Sequence, residues 1–249
     1  MKLVSIRVLF ATALLVLSIV FFACLKSNNN MNNTPPVSGL MAFNLATDKA
    51  VNITVAGNAI SNYPLSFNSY TGNYLNVYSG SRLVQSYDFN SNNVLDSSTY
   101  NFEPQKLYSV FVMGTNGQYH NVIVKDNFDS LNTSQAYLRY VNAINDPSSP
   151  TVTISSSGNN VLETSAPFAS VSGFTGVTPG SVTVQVSNGS NINKSRTINL
   201  DQQKAYTILL TGNPGSTAND SLQIKYVENG LFSENTHKGS SMSGSSATD

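Results

Sequence analysis

Apolar residues recur at every second position in several stretches of the chain: Val51, Ile53 and Val55; Leu75 and Val77; Tyr108, Val110 and Val112; Val122 and Val124. A period of two places alternate side chains on one face of an extended strand, so these stretches predict β-strands with one face turned to a core. Clusters of Gly, Asn, Ser and Pro interrupt them at short intervals, the punctuation of a sandwich or barrel. No apolar stripe of helical spacing is sustained over three turns after residue 25. The pattern predicts an all-β body.

The pattern also returns. "KLYSVFVMG" (Lys106 to Gly114) comes back as "KAYTILLTG" (Lys204 to Gly212), shifted by 98 residues, and "NLATD" (Asn44 to Asp48) comes back as "NAIND" (Asn142 to Asp146) at the same shift. "YTG" (Tyr70 to Gly72) is echoed by "FTG" (Phe174 to Gly176). Matches at nearly constant spacing predict duplication of a unit of about 95 residues, an ordinary domain size. The units are placed at 38–128 and 136–228, with "DSLNTSQ" (129–135) as the linker and 229–249 as a disordered tail. A hairpin is expected in each. In the first, "YLNVY" and "LVQSYDF" flank "SGSR"; in the second, "SVTVQV" and "SRTINL" flank "SNGSNINK". Asn188-Gly189 is a strong turn signal there, because Gly accepts positive φ. Tyr108 and Tyr206 hold equivalent places in the last strong strand, where a Tyr is expected to bury its ring and bond a nearby backbone group through its hydroxyl.

The order "LRYVNAINDPSSPTVTI", "PGSVTVQV", "KAYTILLTG" resembles the bacterial domain of unknown function 4397. The resemblance spans about residues 40–228, although the first unit has Asp48-Lys49 where the second has Asp146-Pro147. It implies an immunoglobulin-like or transthyretin-like β-sandwich in each unit, and tandem units in an exported protein or lipoprotein. It brings no catalytic residues with it.

The N-terminus has its own logic. Lys2 and Arg7 precede an uncharged run, "VLFATALLVLSIVFFA" (Val8 to Ala23), which ends on a small residue before Cys24, the only cysteine. Charge, apolar core and small residue in that order predict a signal peptide over 1–23, with a polar spacer over 24–37. Cys24 directly after Ala23 resembles the lipobox of bacterial lipoproteins, with Phe21 and Phe22 departing from its usual residues. The resemblance implies that Cys24 is the lipid attachment site. Two other readings stay open: an uncleaved helical anchor, since Val8 to Leu25 would span roughly 27 Å of helix, and an incidental cysteine in an ordinary signal peptide. With the positive residues kept inside, everything after Cys24 is exported. The expected address is the outer membrane or cell surface of a Gram-negative bacterium, with the membrane reached through the N-terminal lipid.

Composition narrows the partners. Without residues 1–23, which contain Lys2 and Arg7, the 13 basic residues fall to 11 against 13 acidic ones. Charged residues are 10% of the chain, and solubility rests instead on 88 Asn, Ser and Thr. Such a chain has no basic field for a phosphate backbone, so nucleic acid is not expected as a partner. A neutral, hydrogen-bonding surface with exposed Tyr suits a glycan or another envelope protein.

Candidate chemistry is sparse. Of the two histidines, His237 lies in the tail and His120 follows "GTNGQY" with no second His or Cys to complete a metal site. "DFNSNN" (Asp88, Asn90, Asn92) spaces oxygen ligands as a calcium loop does, but Asn93 stands at the turning Gly and Thr99 at the bidentate Glu, so a polar hairpin end is expected. Glu103 and Asp126 are the acids a hydrolase could pair. "DSL" occurs at Asp129-Ser130-Leu131 and Asp220-Ser221-Leu222, resembling a bacterial O-glycosylation signal, with plain surface turns as the alternative. The expectation is a non-enzymatic binding or structural module with no catalytic residue, no metal and no cofactor. The alternative is an envelope hydrolase or a carbohydrate-binding accessory of one.

Overall fold

The computed structural model describes residues 35–129 and 131–231. The expected signal segment, Cys24, most of the spacer, Ser130 and residues 232–249 of the expected tail lie outside the described residues. The described residues from Pro36 to Leu231 lie in one compact unit.

Among the described residues every regular element is a strand. The first nine are β1 (Val37–Ala46), β2 (Val51–Val55), β3 (Asn58–Ala59), β4 (Ser69–Tyr70), β5 (Leu75–Tyr78), β6 (Gly80–Asp88), β7 (Val94–Phe102), β8 (Leu107–Thr115) and β9 (Gln118–Asp126). The next eight are β10 (Ala136–Ile144), β11 (Thr151–Ser156), β12 (Asn159–Ser165), β13 (Thr175–Val177), β14 (Gly180–Ser187), β15 (Asn193–Leu200), β16 (Lys204–Gly212) and β17 (Gln223–Leu231). They form four sheets. Two have the orders β4-β1-β8-β9 and β13-β10-β16-β17; the other two are β3-β2-β6-β7 and β12-β11-β14-β15. The strand orders of the two halves correspond, and each half has one parallel pair, β1 with β8 and β10 with β16.

The sheets stack in four layers. Leu40, Ala42, Tyr108 and Val110 meet Val51, Ile53, Val84 and Phe102 in the core of the first half. Leu138, Tyr140, Tyr206 and Ile208 meet Val152, Ile154, Val182 and Val184 in the core of the second. The opposite faces of β1 and β8 carry Met41, Phe43, Leu45, Phe111 and Met113, and these pack on Val141, Ala143, Leu209 and Val227 of the second half. The two sheets that contain parallel pairs are therefore inner layers, covered on both faces. That is why β10 is buried at all nine of its positions. Strands covered on both sides read as continuous apolar runs, whereas β2, β6 and β14 of the outer sheets show the alternation of one-sided burial.

Register gives the body two ends. Val37, Leu107, Ala136 and Lys204 begin the inner strands at the end where the chain enters and where Leu231 leaves, since Lys204 pairs with Leu231. Ala46, Gly114, Ile144 and Gly212 lie at the opposite, distal end. Gly114 and Gly212, 98 residues apart, have φ of 125° and 107°. A Cβ would sit 2.0 Å from the Gln118 carbonyl oxygen at the first and 2.2 Å from that of Ser221 at the second. Both positions need glycine on two counts.

The sequence hairpin of the second half is present as β14 and β15, paired from Gly180↔Leu200 to Ser187↔Asn193, with Gly189 at φ 73°. The hairpin expected in the first half is not formed. β5 pairs with β1 in the inner sheet, and β6 pairs with β2 and β7 in the outer one. Ser79 and Gly80 carry the chain between layers: the Ser79 hydroxyl bonds that of Ser38, and Gly80 takes φ 94°. A short Ser/Gly connection has the same sequence signature whether its strands pair or part company, and only the competition for β1 decides. Within the expected linker, Leu131 packs with Phe128, Tyr137 and Ala205. β17 also continues to Leu231, three residues past the expected end of the second unit, with Asn229 fully buried.

Candidate functional site

Burial of a charge is costly unless it is paired and hydrogen-bonded, so the buried ion pair in the middle of the stack is the natural place to look first. Asp126 ends β9 in the first half; Arg139 lies on β10 in the second. Their side chains are 0% and 2% exposed. Arg139 Nη1 donates to Asp126 Oδ1 at 2.5 Å, Nη2 to Ser109 Oγ at 2.9 Å and Nε to Thr207 Oγ1 at 3.0 Å. Asp126 Oδ2 accepts from Ser109 Oγ and from Tyr74 Oη, each at 2.6 Å. Thr207 Oγ1 donates onward to Asn229 Oδ1 at 2.6 Å, and Asn229 Nδ2 lies 3.4 Å from the Tyr74 oxygen. The guanidinium carbon lies 5.5 Å from the Phe111 ring centroid and 4.7 Å from that of Phe174. Burial, and then the nearby Asp126 charge, raise the Tyr74 phenol well above its usual range, so it stays a donor.

The duplicated strands contribute unlike partners here. Ser109 and Thr207 are 98 residues apart and supply a hydroxyl each, but Met41 of the first half stands where the second has Arg139. The acid comes from one half and the base from the other. Both oxygens of Asp126 are engaged inside the cluster, which makes this a clasp between the halves. Its chemistry is positional: a polar network satisfied only when both halves are seated in one register.

The acids that a hydrolase could pair are not brought into one site. Asp126 is sealed in the clasp, while Glu103 is half-exposed and accepts from Lys125 Nζ at 2.7 and 2.8 Å. Lys125 and Asp126 are neighbours on a strand, so they point to opposite faces. Asp88 closes the β6–β7 turn as a hairpin end: its carboxylate takes Lys49 Nζ at 3.0 Å, the Asn90 N–H at 3.0 Å and the Ser91 hydroxyl at 3.0 Å. The Lys49 hydrogen bond is the first cause that lowers its pKa. His120 lies on β9 with its ring edge-on to Phe168 at 6.0 Å, and His237 lies outside the described residues. Among the described residues no three His, Cys, Asp or Glu side chains group as a metal set. In the second "DSL", the Asp220 carboxylate accepts from Ser216 and Asn213 in a turn, with Ser216 the first cause of its lowered pKa.

Tyr108 and Tyr206 behave as expected. Each ring is buried, and each hydroxyl accepts a backbone N–H, from Glu103 at 2.9 Å and from Asp201 at 3.0 Å. The role of the paired asparagines is new. Asn44 Oδ1 accepts the Ala46 N–H while its amide donates to the carbonyls of Lys49 and Leu65; Asn142 does the same toward Ile144 and Ala166. The repeat of "NLATD" as "NAIND" was the signal that these buried amides hold equivalent loops.

Two surface concavities lie toward the distal end of the second half. One is a depression lined by hydroxyls and amides, among them Ser148, Thr151, Thr153, Gln185 and Asn188. The other is an open groove between β15 and β17, the edge strands of their sheets, which carries Lys194, Arg196 and Lys225.

The model of the family described as Domain of unknown function (DUF4397) matches residues 38–148, which covers β1 to β10. A crystal structure of a candidate cell adhesion protein from Bacteroides eggerthii DSM 20697 is 11% identical, over 79% of this chain and 97% of that one, with a TM-score of 0.25. A second, from Bacteroides uniformis ATCC 8492, is 10% identical over 77% and 98% of the two chains, with a TM-score of 0.23. No curated protein matches the chain.

Proposed function

We propose that this chain is an exported, lipid-anchored envelope protein of a Gram-negative bacterium whose β-sandwich body is a non-enzymatic binding or spacing module. The order of positive charge, apolar run, Ala23 and Cys24 supports the address. The entry of the chain at one end of the body supports the role. A lipid on Cys24 lies 12 residues before Pro36, a leash of at most about 40 Å. The clasp supports a body that bears load as one piece, because its two halves share a core and an ion pair.

The carrying observation is the single cysteine directly after the apolar run. Metabolic labelling with a palmitate analogue tests it, with wild type and Cys24→Ser compared by membrane fractionation. The expected result is label and membrane retention in wild type and loss of both in the variant. Wild type without label, or label kept in the variant, overturns the lipid reading; retention of the unlabelled variant means that the uncleaved apolar run also holds the chain in the membrane.

A further inference from the structure

We propose that the solvent face of the first half's outer sheet binds a neutral polysaccharide of β-linked sugar rings. The inference gives the binding role above a surface and a ligand class, and it rests on the exported address of that reading.

The two outer sheets share a plan, but their solvent faces differ. Val84, Ser86 and Asp88 of β6 are buried, so Leu83, Gln85 and Tyr87 take the opposite, solvent side. Phe89 continues the row: its N–H donates to the Ala50 carbonyl at 2.9 Å, which extends the β2–β6 ladder. Leu83 and Phe89 are 41% and 50% exposed, and Val94, which pairs with Tyr87 across the hairpin, is 52% exposed. At the shift of 98 residues, Leu83, Tyr87 and Phe89 become Ser181, Gln185 and Ser187, and the partner of Gln185 is Ser195. The sister sheet folds with polar residues at all four places. Folding therefore does not require the apolar ones, and their grouping in water marks a surface that a ligand covers.

The rest of the face selects the ligand. Asn52 and Thr54 of β2 flank the row on one side, Ser97 and Thr99 of β7 on the other, and none of these carries a charge. The nearest charges are engaged elsewhere: Lys49 pairs with Asp88 at 3.0 Å, and Asp96 accepts the Asn121 N–H. A charged ligand finds no counter-charge here. The Tyr87 hydroxyl donates to Gln85 Oε1 at 3.0 Å, two residues back on the same face, so the phenol lies along the sheet rather than standing off it. A sugar ring offers an apolar C–H face to such side chains and hydroxyls to the amides and hydroxyls beside them. The apolar surface of a peptide or of a second copy would instead strip water from Asn52, Gln85 and Ser97 and replace none of its hydrogen bonds. From Leu83 to Phe89 the row runs about 20 Å, room for several linked rings, and β-linked chains are extended enough to lie along it.

The test is fluorescence anisotropy with labelled cellohexaose and labelled β-mannohexaose, using the full chain purified in a detergent without a sugar headgroup. Labelled polygalacturonate serves as the acidic chain. At least one β-linked hexasaccharide is expected to bind, with an affinity that salt does not alter. Tyr87→Gln/Phe89→Ser installs the sister half's own residues, and it is expected to lose about tenfold in affinity. Leu83→Ser/Val94→Ser is a second variant with the same expected direction, used if the urea midpoint of the first falls below wild type. Gln185→Ala, on the sister face, is expected to bind as wild type does. Binding of neither hexasaccharide, equal binding of polygalacturonate, affinity that falls with salt, or no loss in the Tyr87/Phe89 variant overturns the proposal. An equal loss in Gln185→Ala also overturns it. Cross-linking of the same samples covers the remaining occupant: self-association that the variant abolishes, without glycan binding, assigns the face to a second copy and overturns the proposal. None of these outcomes bears on the palmitate labelling of Cys24, so the two readings fail separately.

Discussion

β10 of an inner layer is buried at nine consecutive positions, while β14 of an outer layer alternates between buried valines and half-exposed or exposed polar residues. The two strands belong to the same half of the chain and face each other across one core. They differ in what lies behind them. β14 has solvent there; β10 has the other half of the molecule, with Val141, Ala143 and Arg139 in contact with it. An outer strand needs to satisfy one core. An inner strand must satisfy two, and the second requires a partner sheet in correct register. The cost of error is therefore concentrated in the inner layers, where the clasp and the shared apolar cluster sit.

The sharpest way to break that contrast is to unpair the clasp. Asp126→Leu leaves Arg139 charged and buried, and the expected loss is about 3–5 kcal/mol by urea unfolding. Asp126→Leu with Arg139→Met should recover most of it, because Met already fills the equivalent place, Met41, in the first half. A double variant as unstable as the single one would show that the network, not the lone charge, sets the loss. Next come two leucines. Leu209→Ala, in the inner cluster at 1% exposure, should cost about 2–5 kcal/mol. Leu83→Ala, 41% exposed on the outer layer, should stay within about 0.5 kcal/mol. Equal costs would erase the distinction between layers.

Smaller effects sharpen the likeness of the halves. Tyr108→Phe and Tyr206→Phe each remove an acceptor for one backbone N–H, and each should cost about 1 kcal/mol by the same denaturation. Unequal losses would mean the two corners are not equivalent. The smallest effect is with pH. Asp88, Asp146 and Asp220 have folded pKa values held below the usual carboxylate range, chiefly by the Lys49, Ser148 and Ser216 side chains respectively. A lowered folded pKa gives stability that is present above the unfolded value and is lost as pH falls through the folded one. A slight decline of Tm on acidification is expected, shallower in Asp88→Asn. A Tm that rises on acidification would reverse the sign.

Much of the architecture was legible along the chain. Alternation at Val51, Ile53 and Val55 marked a strand with one buried face, Asn188-Gly189 marked the β14–β15 hairpin, and the shift of 98 residues placed Tyr108 with Tyr206 and Gly114 with Gly212. These are local facts: a period of two, a positive φ and a recurring word require no knowledge of distant residues. The clasp was not legible. Asp126 and Arg139 are ordinary charged residues 13 apart in sequence, and nothing nearby tells that both are sealed from water. The partner of β5 was equally hidden, because a Ser-Gly connection fits a hairpin and a crossover alike.

By itself, then, the order of residues determined that the chain is built of strands, that its halves follow one plan, and that a lone cysteine closes the leading apolar run. Only the tertiary structure decided that the halves stack as four layers, that the strand of Tyr108, Val110 and Val112 is also buried along Phe111 and Met113, and that acid and base meet between the halves. The reason is physical. Strand propensity and turn geometry act over a few neighbouring residues, whereas the choice of which second face to cover is made by surfaces assembled from residues far apart in sequence.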